Sequence, residues 1–336
     1  MNMAETKRIQ RKLTISHSPH IHSLNRTPRV MRDVLIALSP AAIMSVYYFG
    51  YRAALIIAVC VTISIVTEFF TRKVLRRSST ISDLSAAVTG LLLALTLPVT
   101  IPLWMAALGS AAAIIVVKEL FGGLGQNFAN PAITARIILT VSFSSHMTNW
   151  TEPVRNVLSA PAQAADAVAT ATPLVSGNAR LLDLFLGNTA GCLGETCAAA
   201  LIAGGIYLVI RRVIKPIIPL TYIGVVGILY LLSGQWSGYD VPFYYVPVYQ
   251  ILAGGLMIGA IFMATDYSTS PLTRTGKFIF ALGCGILTFL IRMFANYPDG
   301  VSFSILIMNI LTPSIDRLTA HKAFAGIYNK KERALK

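Results

Sequence analysis

The chain has 336 residues, 55% of them apolar and 12% charged, with a mean hydropathy of +0.66. Soluble domains carry about 25% charged residues, so a cytosolic enzyme, a disordered tail and a nucleic-acid-binding domain are excluded despite a formal charge of +14. The composition predicts an all-α integral membrane protein.

The first segment in chain order is a basic tail, residues 1–32, without the apolar core of a signal peptide, and it is expected to stay cytoplasmic. Its H-S-P-H-I-H run (His17, His20, His22) reads as solvated chain rather than a metal site. Ten apolar segments follow, near 33–51, 52–71, 84–98, 102–121, 132–147, 192–212, 217–235, 244–264, 276–296 and 299–315. A bilayer core of about 30 Å needs roughly 20 apolar residues per helix, fewer where a helix is broken. With both termini cytoplasmic, 24 of the 28 Lys and Arg fall on the inner side, Lys118 and Arg136 among them. Arg52, Arg155, Arg180 and Arg292 fall outside, and this asymmetry accounts for the positive charge through topology.

Ten spans divide into two five-helix halves, residues 33–148 and 192–315, with a cytoplasmic tail at 316–336. An odd number of spans per half makes the halves inverted repeats. Weak internal similarity agrees: Thr96–Pro98 and Pro102 followed by N-F-A-N-P-A (127–132) parallel Ala264–Asp266 and Ser270-Pro271 followed by M-N-I-L-T-P (308–313). Broken helices with polar residues at matching places, near Asn130 and Asn309, are where such folds build binding sites. Residues 149–191 form an extracytoplasmic loop, too long for a mere connector.

No Walker loop, G-x-G-x-x-G, H-E-x-x-H or C-x-x-C occurs, so neither hydrolysis nor metal chemistry is expected. Acids within the membrane are costly, which singles out Glu68, Glu119, Glu195 and Asp266. Glu68 is one turn from Arg72 and Glu119 follows Lys118, so interfacial ion pairing suits both. Glu195 has no neutralising neighbour in sequence, and Arg292 is its expected complement. Two inner patches resemble ligand sites. Residues 121–132 combine glycines, including Gly125, with the amides of Gln126, Asn127 and Asn130. Residues 265–271 add Asp266, Ser268, Thr269 and Ser270, although turns and helix caps use the same residue types.

The outer loop contains D-A-V-A-T-A-T-P-L (166–174), which resembles the flavin-attachment motif of a family of respiratory ion pumps, where a threonine hydroxyl is esterified to the phosphate of FMN. Asp166, Ala171 and Thr172 match that pattern, while Ala169 and Thr170 stand where Ser-Gly is common. The resemblance implies Thr172 as the attachment residue and leaves Thr170 as a lesser candidate. F-G-G-L-G-Q-N-F-A-N-P-A, G-C-L-G-E-T, M-A-T-D-Y-S-T-S-P-L-T-R-T-G-K, I-R-M-F-A-N-Y-P-D-G-V-S-F and M-N-I-L-T-P-S-I-D are similar to segments of the D subunits of Rnf-type electron-transport complexes. Related B subunits of sodium-translocating NADH:quinone oxidoreductases share the pattern with a longer N-terminal region.

This resemblance implies a subunit, not catalytic alone, of a ferredoxin:NAD oxidoreductase complex in a bacterial or archaeal cytoplasmic membrane. Its implied cofactors are covalent FMN on Thr172 and a noncovalent riboflavin, assigned to Gly125, Asn127, Asn130, Asp266 and Ser270. Its implied partners are the other subunits of the complex, a flavin transferase and membrane lipids. Electron transfer would drive Na+ or H+ along a path for which Glu195, Asp266 and Asn309 are candidates. The competing readings are a flavin-free inverted-repeat transporter or channel for a small solute, and a structural anchor for soluble redox partners.

Overall fold

A computed structural model describes residues 27–78, 80–153, 173–176, 179–195, 197–234, 242, 244–295 and 300–319. Helices α1 (Thr27–Phe49) and α2 (Tyr51–Val74) are long and apolar enough to span a membrane, as are α10 (Arg274–Phe294) and α11 (Gly300–Thr319). Helix α1 begins six residues before the expected boundary at 33, with Pro28 in its first turn, where a proline has no N–H to waste.

The other expected spans are helical but short or broken. Helix α3 (Ser85–Leu95) is buried along its whole length. Its 11 residues rise about 17 Å, roughly half of a bilayer core. Helix α4 (Leu103–Ala112) continues as a π-helix over Ala113–Glu119, and α5 spans Pro131–Ser142. Helices α6 (Ala198–Ile210) and α7 (Ile217–Leu232) come next, and α8 (Tyr245–Leu252) meets α9 (Leu256–Met263) at a 68° bend.

Irregular backbone at membrane depth survives only if its polar groups find partners inside the protein. Here two breaks satisfy each other: Leu193 N–H donates to Leu97 O at 3.1 Å and Gly194 N–H to Leu95 O at 2.6 Å. A Cβ on Gly194 would stand 2.7 Å from the Leu95 Cβ, so only glycine permits this approach. Ser45 of α1 also donates to Leu193 O. Helix α1 packs on α6 and α5 on α11. At Gly204 of α6 a Cβ would lie 2.1 Å from Ala37 O, a small-residue crossing of the kind that holds membrane helices together.

One expected break is absent. Asn309 lies inside continuous α11, which also contains Pro313. Proline removes one backbone hydrogen bond, the one that would return to the Asn309 carbonyl, yet packing on α10 and α5 keeps the helix whole.

Candidate functional site

The loop after the π-helix and the segment after α9 converge with α1, α3 and α6 around a pocket of about 800 Å³ of empty space, its open mouth included. Asn127, Asn130 and Asp266, far apart in sequence, all line it. Gly125 and Ser270 do not. Gly125 is exposed and serves the turn with φ +89°, while the Ser270 N–H closes a turn onto Asp266 O.

The two asparagines have different tasks. Asn130 Oδ1 caps α5, accepting from Ala132 and Ile133 N–H at 3.0 and 3.4 Å. Its Nδ2 donates to Met263 O at 3.2 Å, tying the start of α5 to the end of α9. Asn130 is therefore chiefly a structural clamp. Asn127 Oδ1, by contrast, is buried and has no hydrogen-bond partner among the described residues. A buried acceptor without a donor carries a desolvation cost of about 1–3 kcal/mol, and on a pocket wall it asks for a ligand donor.

Asp266 is partly buried and accepts from the Ser268 N–H (3.2 Å) and hydroxyl (2.9 Å). Burial raises its carboxyl above the ordinary value, and the Ser268 bonds pull the other way. The neighbouring Tyr267 phenol is pushed up to about 12, first by burial and then by the charges of Asp266 and Asp83. Sequence reasoning passed over Ser85, Thr89, Lys118, Thr265 and Tyr267, which also line the pocket. Lys118 carried a signal, a charge between apolar segments, but its sequence neighbour Glu119 supplied too simple an explanation.

The acids pair crosswise between helices. Lys118 Nζ donates to Glu68 Oε2 at 2.9 Å and to Ser85 Oγ at 2.7 Å. Arg72 Nε meets Glu119 Oε1 at 3.1 Å and stands 3.9 Å from Glu68. All four side chains are buried. Glu195 pairs with Arg136 at 3.3 Å, whereas the Arg292 guanidinium donates to the carbonyls of Gln250 (2.7 Å) and Ala253 (3.3 Å). This corrects the expected Glu195–Arg292 pairing. Arg136 of α5 and Glu195, just before α6, thus meet with both side chains nearly buried. Glu195 and Asn309 lie away from the pocket lining. Both side-chain amide atoms of Asn309 are buried without a partner among the described residues.

Asp166, Thr170, Ala171 and Thr172 lie outside the described residues. The chain just beyond them is anchored: Tyr249 OH donates to Pro173 O at 2.7 Å, Leu174 packs against Gly254 at the α8–α9 bend, and Tyr48 OH donates to Leu186 O at 2.9 Å. Cys60, Cys192, Cys197 and Cys284 are free and buried. Among the described residues no group of three His, Cys, Asp or Glu could hold a metal ion.

A family model described as the NQR2, RnfD, RnfE family matches residues 14–325. The chain is 43% identical over 329 residues to the D subunit of the Na(+)-translocating ferredoxin:NAD(+) oxidoreductase complex of Acetobacterium woodii, covering 95% of this chain and 98% of that protein. It is also 43% identical over 332 residues to the D subunit of the proton-translocating ferredoxin:NAD(+) oxidoreductase complex of Clostridium ljungdahlii, covering 94% and 97%. The D subunit of the ion-translocating oxidoreductase complex of Stutzerimonas stutzeri is 36% identical over 329 residues, covering 88% and 91%.

Proposed function

The chain belongs to the NQR2, RnfD, RnfE family, and on that premise we propose that it is the D-type membrane subunit of an ion-translocating ferredoxin:NAD oxidoreductase complex. The observation that carries this reading is near-full-length identity of 43% to two proteins bearing that name. One of these is named for sodium and the other for protons, so overall similarity does not choose the coupled ion. Both termini are taken as cytoplasmic, with the pocket mouth on that side and residues 149–191 outside.

Two flavins fit this chain's residues. Covalent FMN is assigned to Thr172, whose neighbour Pro173 is held by Tyr249 at the α8–α9 bend. A noncovalent riboflavin is assigned to the pocket, where the orphaned Asn127 Oδ1 suits a ring N–H and Asp266 and Thr265 offer further polar contacts. A bound flavin supplies one- and two-electron chemistry, and the protein supplies position, polarity and insulation. Helix α9, at one end in the pocket lining and at the other beside the bend, joins the two places.

For the ion, the candidate groups are Glu195 with Arg136, Asn309, whose amide has no partner among the described residues, and Asp266 at the pocket. Reduction of a flavin alters local charge, and the segments abutting at Leu97 and Leu193 are assigned the response to it. Peptide mapping of the 149–189 loop, on protein made in a host that supplies a flavin transferase, tests the assignment. A mass gain of FMN less one water on the Thr172 peptide supports it. An unmodified loop, with transferase activity verified on a control protein, rejects covalent attachment and favours a flavin-free transporter.

A further inference from the structure

Lys118 is almost wholly buried and lies on the pocket wall. An ammonium has three N–H donors. Glu68 and Ser85 accept from it, and among the described residues no acceptor is paired with the third donor. Ser85 lines the same pocket, so the ammonium stands at its edge. The pocket thus presents an unused charged donor and, on the same lining, an unused acceptor, Asn127 Oδ1. Both are expensive to leave unmade in a low-dielectric interior. Lys118 also sits in the π-helix Ala113–Glu119, a rare geometry concentrated at functional sites.

We infer that Lys118 is the ligand-facing cation of this pocket. Its third N–H donates to a carbonyl or ring-nitrogen acceptor of a planar heterocycle, Asn127 Oδ1 accepts a ring N–H, and Glu68 holds the ammonium in place. The inference deepens the assignment of a noncovalent flavin and rests on it. An isoalloxazine carries such an edge, with C2 and C4 carbonyls flanking an N–H. Electrons added to the ring place negative charge along that edge, and a fixed cation there favours them, raising the potential of the bound flavin.

Removing Lys118 alone would leave Glu68 buried without its nearest counter-charge, so the deciding variant removes the pair, Glu68→Gln with Lys118→Met, in the complete complex. Noncovalent flavin is extracted and quantified, and its midpoint potential is measured by spectroelectrochemical titration. The expected result is either loss of that flavin or a lower potential, about 30 mV for each tenfold loss of preference for the two-electron-reduced ring. Ser85→Ala, which keeps the ion pair and releases a second N–H, is expected to change the potential as well and serves if the paired variant does not assemble. Unchanged flavin content and potential in these variants overturn the inference. If Asn127→Leu loses the flavin while they do not, the pocket assignment stands and only the role of Lys118 falls. If the wild-type complex yields no noncovalent flavin, the pocket assignment falls and takes this inference with it.

Discussion

Two regions of the bundle solve one packing problem with different chemistry. Where α2, α3 and α4 meet, the buried polar groups include four charges, Glu68, Arg72, Lys118 and Glu119, linked through Ser85 and Thr80. Where α7, α10 and α11 meet, they are hydroxyls: Tyr222, Thr288 and Ser304, mutually bonded at 2.6, 2.7 and 2.9 Å. A hydroxyl both donates and accepts, so a hydroxyl cluster can lose a member and rearrange. Ammonium and carboxylate cannot exchange roles, and their numbers must match. The charged cluster reaches the pocket and the hydroxyl cluster does not line it. The difference teaches that the costlier device stands where a ligand can use it.

The sharpest way to break this comparison is Glu68→Ala. It leaves Lys118 buried without its counter-charge and is expected to cost about 3–5 kcal/mol, seen as a large fall in the thermal unfolding midpoint in detergent. The paired change Glu68→Gln with Lys118→Met should restore most of that loss. Equal destabilisation by both would show that volume, not charge, governs the site. Gly204→Ala probes the α1–α6 crossing. Because the obstructing atom is backbone, the expected cost is about 1–3 kcal/mol, and a neutral result in the same assay would mean the helices part freely. Tyr222→Phe should cost only about 1 kcal/mol, since Thr288 and Ser304 keep their own bond; a loss matching that of Glu68→Ala would erase the contrast.

The smallest effect concerns pH. The carboxyl of Asp266 is raised above its ordinary value of 3.8, so the folded chain takes up this proton before the unfolded chain does. Stability from this group therefore grows as pH falls from the raised folded value towards 3.8, and is absent above that window. Asp266→Asn should flatten this acid-side gain in unfolding midpoints measured across mildly acidic pH. An unaltered slope would place the titration elsewhere.

The sequence made the apolar segments, the paired polar patches and the acids that matter legible, because desolvation makes each conspicuous. It did not reveal which charges meet. Lys118 and Glu119 are adjacent, and Glu68 and Arg72 are one turn apart, so local pairing is the natural inference. The π-helix changes how neighbouring side chains project, and both Lys118 and Glu119 reach α2 instead. Asn130 was legible as a polar break, but its role as a cap and clamp depends on where Met263 falls. Pro313 signals a break that packing overrides, since neighbouring helices can support a proline within a membrane helix.

The arrangement of Glu68, Arg72, Lys118 and Glu119 has an electrical consequence. Two positive and two negative charges, paired crosswise at 2.9 and 3.1 Å, carry no net charge. Their far field decays steeply, whereas at the distance of a hydrogen bond the nearest member dominates. A membrane potential does work only on charge that is displaced through it. The four charges can therefore tilt or shift together with their helices with little work done on them by the voltage that the complex would build, while an electron arriving next to Lys118 still feels a net attraction, only partly offset by Glu68 behind it.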